Sequence, residues 1–460
     1  MSSRLFLLQP AWRSESRALL TLALPIVLAG LAETAINTTD VVMMGWLGTK
    51  AVAGGILGSH YYAFLHFFGL GVLSAVAPLL AQALGARNFN AVRRSTRQGL
   101  WVAAVLSVPG LVAIWHVRSI LLALGQDPVL VELTEQYMHA RMWGYPAALV
   151  FLVLGHLLSA HSRPRAIMVV TIAAIALNGL GNYVLMFGHW GAPRLELVGA
   201  GISSAVLDWC AAIALSIFVY RDRRFRRYHI LARIWRADWP RFFEIFRLGL
   251  PIAATVLAEA GLFLAATLML GRFSEAELAG HAVAVQCASI AYMVPNGVGQ
   301  AAAVRVGLAV GGGDIAGVGR AGWSAMIWGA GFMLLPAWAF WVFGPNLAGL
   351  YLDADDANNT AAIEFAVLFL GVAAFFQLVD GAQCIASGAL RGLKDTRVPM
   401  CLAAGSYWIL GFGAASVFGI ELGLNGVGVW IGLAFGLAAA ALALTWRFHR
   451  QLARLQRSQP

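Results

Sequence analysis

Five carboxylates interrupt stretches of this chain that are otherwise almost free of charge: Glu33, Asp40, Asp208, Glu259 and Asp380. An acid in apolar surroundings is costly unless a proton, a cation or a hydrogen-bond donor accompanies it, so each is a candidate binding group. Spacing sharpens the set. Glu33 and Asp40 are seven residues apart and share a helix face two turns apart, and Asn178 and Asn182, four apart, share another. Carboxylate and carboxamide oxygens are hard ligands that suit Na⁺, and a carboxylate is equally a proton acceptor. Aromatic and apolar residues are the second kind of group. Tyr61, Phe64, Tyr292 and Met293 are candidates to line a cavity for flat, apolar cations through cation–π and apolar contact, although most of the run Tyr61–Phe68, with His60 and His66, reads as packing or an interfacial belt.

Reactive constellations do not appear. There is no Walker-type glycine loop, no Ser/His/Asp arrangement and no HExxH pair, so neither an enzyme, an ATP-driven machine nor an organic cofactor is expected. Cys210, Cys287, Cys384 and Cys401 lack metal-ligand spacing and read as small buried hydrophobes.

The elements that must hold these groups follow from composition. Of the 460 residues, 60% are apolar and only 12% charged, with 50 glycines besides. So few charges cannot cover a water-soluble surface, and so much apolar content excludes disorder. About twelve apolar runs are long enough to cross a bilayer as helices: 18–38, 54–83, 98–116, 138–160, 166–187, 198–219, 245–271, 281–309, 321–344, 362–388, 400–419 and 425–447. Continuous apolarity, not alternation, selects helices over a barrel.

The formal charge of +10 is spread through short segments between these runs, which argues against nucleic acid. Arginines fill alternate segments: Arg4, Arg13 and Arg17 at the N-terminus, then Arg87, Arg93, Arg94 and Arg97, then Arg163 and Arg165. The series continues through Arg221–Arg241 (Arg227 and Arg233 included), then Arg391, Lys394 and Arg397, and ends with Arg447–Arg457. The intervening loops hold acids such as Asp127, Glu132, Glu275, Asp353 and Asp355. Basic loops resist translocation, so these segments and both termini are expected on the cytoplasmic side of an inner membrane.

The chain repeats at an offset of 226: Leu24-Pro25-Ile26 returns as Leu250-Pro251-Ile252, Leu31-Ala32-Glu33 as Leu257-Ala258-Glu259, Gly71 as Gly297 and Gly85 as Gly311. Later the register drifts to about 232, where Pro164-Arg165 faces Thr396-Arg397. Six spans per repeat give both halves the same topology. The expectation is an all-α polytopic membrane protein of twelve transmembrane helices in two six-helix lobes, 1–228 and 229–460, with a basic linker from near 220. The lobes would be related by a pseudo-two-fold along the membrane normal, as in transporters that bind substrate between repeats. The polar groups break this symmetry, since Asp40 corresponds to Ala266 and Asp380 to Ala148.

These residues resemble the multidrug and toxic compound extrusion (MATE) family, NorM-type branch. The resemblance runs over nearly the whole chain. It is carried by Leu24 through Thr39-Asp40-Val41-Val42-Met43-Met44-Gly45, by Ala81-Gln82-Ala83-Leu84-Gly85-Ala86 and by Leu257-Ala258-Glu259. Pro295-Asn296-Gly297-Val298-Gly299, Asp380 and Gly388-Ala389-Leu390-Arg391-Gly392-Leu393-Lys394-Asp395-Thr396 complete it. It implies an antiporter that exports organic cations and drugs on the entry of H⁺ or Na⁺. Asp40, Glu259 and Asp380 then fall on cation-coupling positions, with Na⁺ placed at Glu259 and Asp380, and with Asn178, Asn182 and Glu33 in support. Phe376 stands where some Na⁺-linked members carry tyrosine, and Glu33 where many members carry glutamine; both departures favour H⁺. Small organic cations and membrane lipids are the expected partners, and the monomer the working unit. A flippase for lipid-linked or saccharide precursors is the alternative, disfavoured by acidic intramembrane charges and by a chain of only twelve spans.

Overall fold

A computed structural model describes residues 10–226, 228, 235–353 and 355–458. Of the basic positions named above, Arg4, Arg227 and Arg233 lie outside them, as does position 229, where the second lobe was expected to begin. Twelve helices are long and apolar enough to span a membrane: α1 Pro10–Gly45, α2 Thr49–Gly85, α3 Phe89–Trp115, α4 Pro128–Ala160, α5 Arg165–Phe187 and α6 Glu196–Arg221, followed by α7 Trp239–Leu270, α8 Glu275–Gly311, α9 Ile315–Val342, α10 Ala357–Gly392, α11 Arg397–Glu421 and α12 Asn425–Arg457. Each expected run lies on one of them. Large apolar side chains stay uncovered on their outer faces, among them Val108, Leu268, Leu335 and Leu442, as helices bathed in lipid require.

The duplication is visible in the turns. Asn88 caps α3 by accepting from the Ala91 N–H at 3.0 Å, and Asp314, its mate at offset 226, caps α9 by accepting from the Gly317 N–H at 2.7 Å. The residue before each cap has positive φ, Arg87 at 53° and Gly313 at 73°. Ser162 at 56° and Lys394 at 58° repeat the pattern at offset 232, where the sequence register had drifted.

The described residues divide into two compact units, Leu28–Ala253 and the union of Met1–Val27 with Ala254–Pro460. The sequence repeat divides at 228/229, but these units divide within α1 and α7, two residues beyond Pro25 and two beyond Pro251. Glycine explains how the opening half of each helix is held. In the Leu28–Ala253 unit, a Cβ on Gly71 of α2 would fall 2.3 Å from the Ala253 Cα of α7. In the other unit, a Cβ on Gly297 of α8 would fall 2.5 Å from the Val27 Cγ2 of α1. The two seams are mates, since 27 and 253, like 71 and 297, differ by 226. Glu15 at the start of α1 is further clamped by Arg305 of α8 through two hydrogen bonds of 2.7 and 2.5 Å.

One expectation fails. Cys287 and Cys384 are buried, but Cys210 and Cys401 are exposed on helix surfaces, and all four are free thiols. A small thiol costs little facing lipid, so apolar neighbours in sequence do not settle which side of a helix it occupies.

Candidate functional site

The first polar centre lies within the Leu28–Ala253 unit. Asp40, buried on α1, accepts at Oδ1 from Asn178 Nδ2 at 2.9 Å and Asn182 Nδ2 at 2.6 Å, both on α5, and at Oδ2 from Ser204 of α6 at 3.4 Å. The i, i+4 spacing of the asparagines is what lets both amides reach one oxygen. Glu33, two turns back, does not join them; it is exposed and makes no hydrogen bond among the described residues. Seven residues fall only about 20° short of two turns, so the difference comes from what packs on each turn: α5 and α6 cover Asp40 and leave Glu33 open.

A second group in the same unit surrounds Arg141 of α4. Its guanidinium carbon lies 4.2 Å from the centre of the Tyr62 ring. The Tyr62 hydroxyl donates to Asp208 Oδ2 at 3.5 Å, and the ring meets Tyr145 edge-on at 5.8 Å. Gly144 makes room, because a Cβ there would lie 2.6 Å from Asp208 Oδ2. Arg141 is within Coulombic reach of Glu33, Asp40 and Asp208, and its Nη1 is buried without a hydrogen-bond partner. This cation was missed from sequence. Its signal was a lone arginine near the start of the fourth apolar run.

The third centre lies within the unit containing Ala254–Pro460. Glu259 of α7 and Asp380 of α10 are joined by Gln383, whose Nε2 donates to Glu259 Oε1 and to Asp380 Oδ1, each at 3.2 Å. The orientation of Gln383 is fixed by Tyr407 of α11, whose hydroxyl donates to Gln383 Oε1 at 2.7 Å. Tyr407 sits in a π-helical stretch, Ser406–Phe412, and the wider turn changes which face of α11 it presents. Gln383 and Tyr407 also escaped the sequence reading. Gln383 carried a signal, three residues past Asp380 on one face; Tyr407 carried none, because its position depends on the π turn.

The aromatic candidates separate. Tyr61 spends its hydroxyl on the Ala113 carbonyl of α3 at 2.8 Å, and Phe64 is exposed, so it is the neighbouring Tyr62 that reaches a carboxylate. Tyr292 of α8 lies near Cys384 and within Coulombic reach of Glu259 and Asp380; Met293 beside it is half-buried. Phe376 is buried, edge-on to Trp430 at 5.7 Å. Among the described residues no group of three or more His, Cys, Asp or Glu could hold a metal ion.

Twelve spans, a duplicated chain and carboxylates tied into buried amide networks define a two-repeat polytopic membrane protein of the transporter class. The chain belongs to the MatE family, whose model matches it twice, over residues 25–184 and 251–417, two matches that begin 226 residues apart. It is 43% identical over 445 residues to the "Probable multidrug resistance protein NorM" of Rhizobium meliloti, covering 97% of this chain and 95% of that one. It is 42% identical to the protein of the same name from Mesorhizobium japonicum, covering 96% and 95%. A solved structure described as the outward-facing conformation of a multidrug resistance MATE family transporter shares the fold, with a TM-score of 0.87, 17% identity and 96% of each chain covered.

Proposed function

We propose that this protein is a proton-coupled antiporter of the inner membrane that exports amphipathic, mostly cationic compounds, with both termini cytoplasmic and the monomer as the working unit. The observation that carries the choice of ion is the Tyr407–Gln383 bond. With Gln383 Oε1 engaged by Tyr407, its amide hydrogens face both carboxylates, and it offers no oxygen to Na⁺. Phe376 adds no hydroxyl. A proton needs only the carboxylate lone pairs that remain.

The exchange then follows from competition for charge. A proton or an organic cation satisfies the Glu259/Asp380 pair, and each disfavours the other's presence, so one leaves as the other binds. Asp40, held by two amides and a hydroxyl, is the corresponding group of the other unit, with Asn178 and Asn182 setting its direction. A membrane potential of 100 mV supplies about 2.3 kcal/mol per charge, a concentration ratio of roughly fifty. Multidrug resistance, the property in the relatives' names, suits export through such a site, because charge and apolar contact discriminate less finely than a hydrogen-bond pattern.

Proteoliposomes given a pH gradient or a Na⁺ gradient separately test this reading. Efflux of ethidium driven by the pH gradient alone is the expected result. Efflux that needs Na⁺ overturns the choice of ion, and transport confined to anionic lipid-linked precursors overturns the export function.

A further inference from the structure

Beside the carboxylate pair, the unit containing Ala254–Pro460 buries polar groups that nothing satisfies. Thr267 donates its hydroxyl to the Phe263 carbonyl at 2.9 Å, so at 3.0 Å from His281 it accepts from the Nε2–H. That bond sets the tautomer of a neutral imidazole and makes Nδ1 an acceptor, which is buried without a donor. Trp430 of α12 is fully buried with its ring 5.6 Å from that of His281, and its indole N–H has no acceptor. Gln377 of α10 is fully buried and satisfies neither its amide nitrogen nor its oxygen. A backbone group joins them, because Pro295 has no N–H and leaves the Ala291 carbonyl of α8 without its i+4 donor.

These groups form a descending series. Helices α8 and α10 run parallel, with Gly280 against Ala366, Pro295 near Gly381 and Gly299 against Cys384. In that register Gln377 is level with Ala291, and His281 is level with Val367, about 20 Å along α10 from Asp380 at 1.5 Å per residue. Trp430 lies between them, 6.2 Å from the ring of Phe369 and 5.7 Å from that of Phe376. Gln377 is one turn from Asp380. Unpaired buried donors and acceptors in alternation are what bound water satisfies, each molecule bridging two to four polar atoms.

We propose that His281, Trp430 and Gln377 hold a file of water that carries protons between the α7–α8 end of this unit and the Asp380 carboxylate. Nδ1 of His281 accepts a hydrogen bond from one water and orients it, and each water of the file passes a proton to the next as it receives one from behind. The Trp430 N–H orients water but cannot accept, and the Gln377 amide both donates and accepts. Only O–H bonds form and break, and no electrons are transferred. The charged groups on the elements packed around His281 are Glu275, Glu277 and Arg305 on α8, Arg241, Glu244, Arg247 and Glu259 on α7, and Glu364, Asp380 and Arg391 on α10; α12 has none before Arg447, and Glu277 accepts from the Gly426 N–H at 2.7 Å.

The relay rests on the proton coupling proposed above, and one experiment separates the two. The full-length protein is reconstituted in liposomes with a trapped pH dye, and ethidium-dependent proton flux is read together with ethidium binding. His281→Gln keeps an amide for Thr267 but loses the group at Nδ1, His281→Asn places an amide at the Nδ1 position, and Trp430→Phe keeps the ring stack but loses the N–H. The expected result is proton flux slowed by about tenfold in His281→Gln and Trp430→Phe, the size of one lost hydrogen bond to water, with ethidium binding unchanged and flux recovered in His281→Asn. Unaltered flux in His281→Gln and in Trp430→Phe overturns the relay. Ethidium transport without proton flux in the unsubstituted protein overturns the coupling itself, and the relay with it.

Discussion

Tyr407 donates to Gln383 at 2.7 Å, and that single bond decides which end of a buried amide faces Glu259 and Asp380. Reversing the amide would put an oxygen against two carboxylates, so the phenol selects between a donor site and a cation site. Tyr407→Phe removes the constraint. We expect proton-driven efflux to fall about fivefold to tenfold, the equivalent of one lost hydrogen bond of about 1–1.5 kcal/mol, and a Na⁺ stimulation absent from the parent to emerge. Efflux measured against Na⁺ concentration at fixed pH checks both.

Arg141 is the opposite case, a permanent cation held near three acids without an ion pair of 4.0 Å or less among the described residues. Its removal leaves Asp208 beside Tyr62 with no compensating charge. Arg141→Met is therefore expected to destabilise the protein by about 3 kcal/mol, and Arg141→Met/Asp208→Asn to recover most of that loss. Thermal melting of the detergent-purified variants measures the pair. Additive losses in the double variant would show that Arg141 acts through Glu33 or Asp40 instead.

The Gly71–Ala253 and Gly297–Val27 seams predict matched sensitivities. A Cβ at Gly71 meets backbone, which cannot rotate away, whereas at Gly297 the nearest atom is a valine methyl. Gly71→Ala should cost about 2–3 kcal/mol and Gly297→Ala about 1–2 kcal/mol, and leucine at either position should prevent folding. Melting temperatures and yields of the four variants rank the effects.

Much of this architecture was legible in the chain. The constant offset that aligned Gly71 with Gly297 reappears in the turn geometry of Arg87 and Gly313, because a repeated turn needs a repeated backbone conformation. Asn178 and Asn182 converge on Asp40 because four residues is close to one helical turn. Arg141 escaped because acids alone were weighed as intramembrane charges, and Tyr407 because a π turn breaks the 3.6-residue period on which face assignments rest. The division of α1 and α7 between the compact units was hidden for another reason. It depends on which neighbour each half-helix meets, and no spacing along one helix records its neighbours.

Asp238 precedes α7 and is hydrogen-bonded to the Arg94 guanidinium of α3, within the Leu28–Ala253 unit; its Oδ1 also accepts from the Arg241 N–H at 3.4 Å. The Arg94 bond holds the Asp238 carboxyl below the usual carboxylate range, with burial opposing it. A lower value in the folded state means that the unfolded chain binds the proton first as acid is added. The stabilisation is thus complete above the unfolded value of about 4 and is lost as the pH falls through the folded one. Half of the Arg94 side chain is exposed, so solvent screening keeps the contribution to about 1 kcal/mol or less. Asp238→Asn should lower the melting temperature by about a degree at pH 7 and by less at pH 3, because the pair weakens as the pH falls below the unfolded value. An equal loss at both pH values would assign the effect to the cap on α7 and not to the charge.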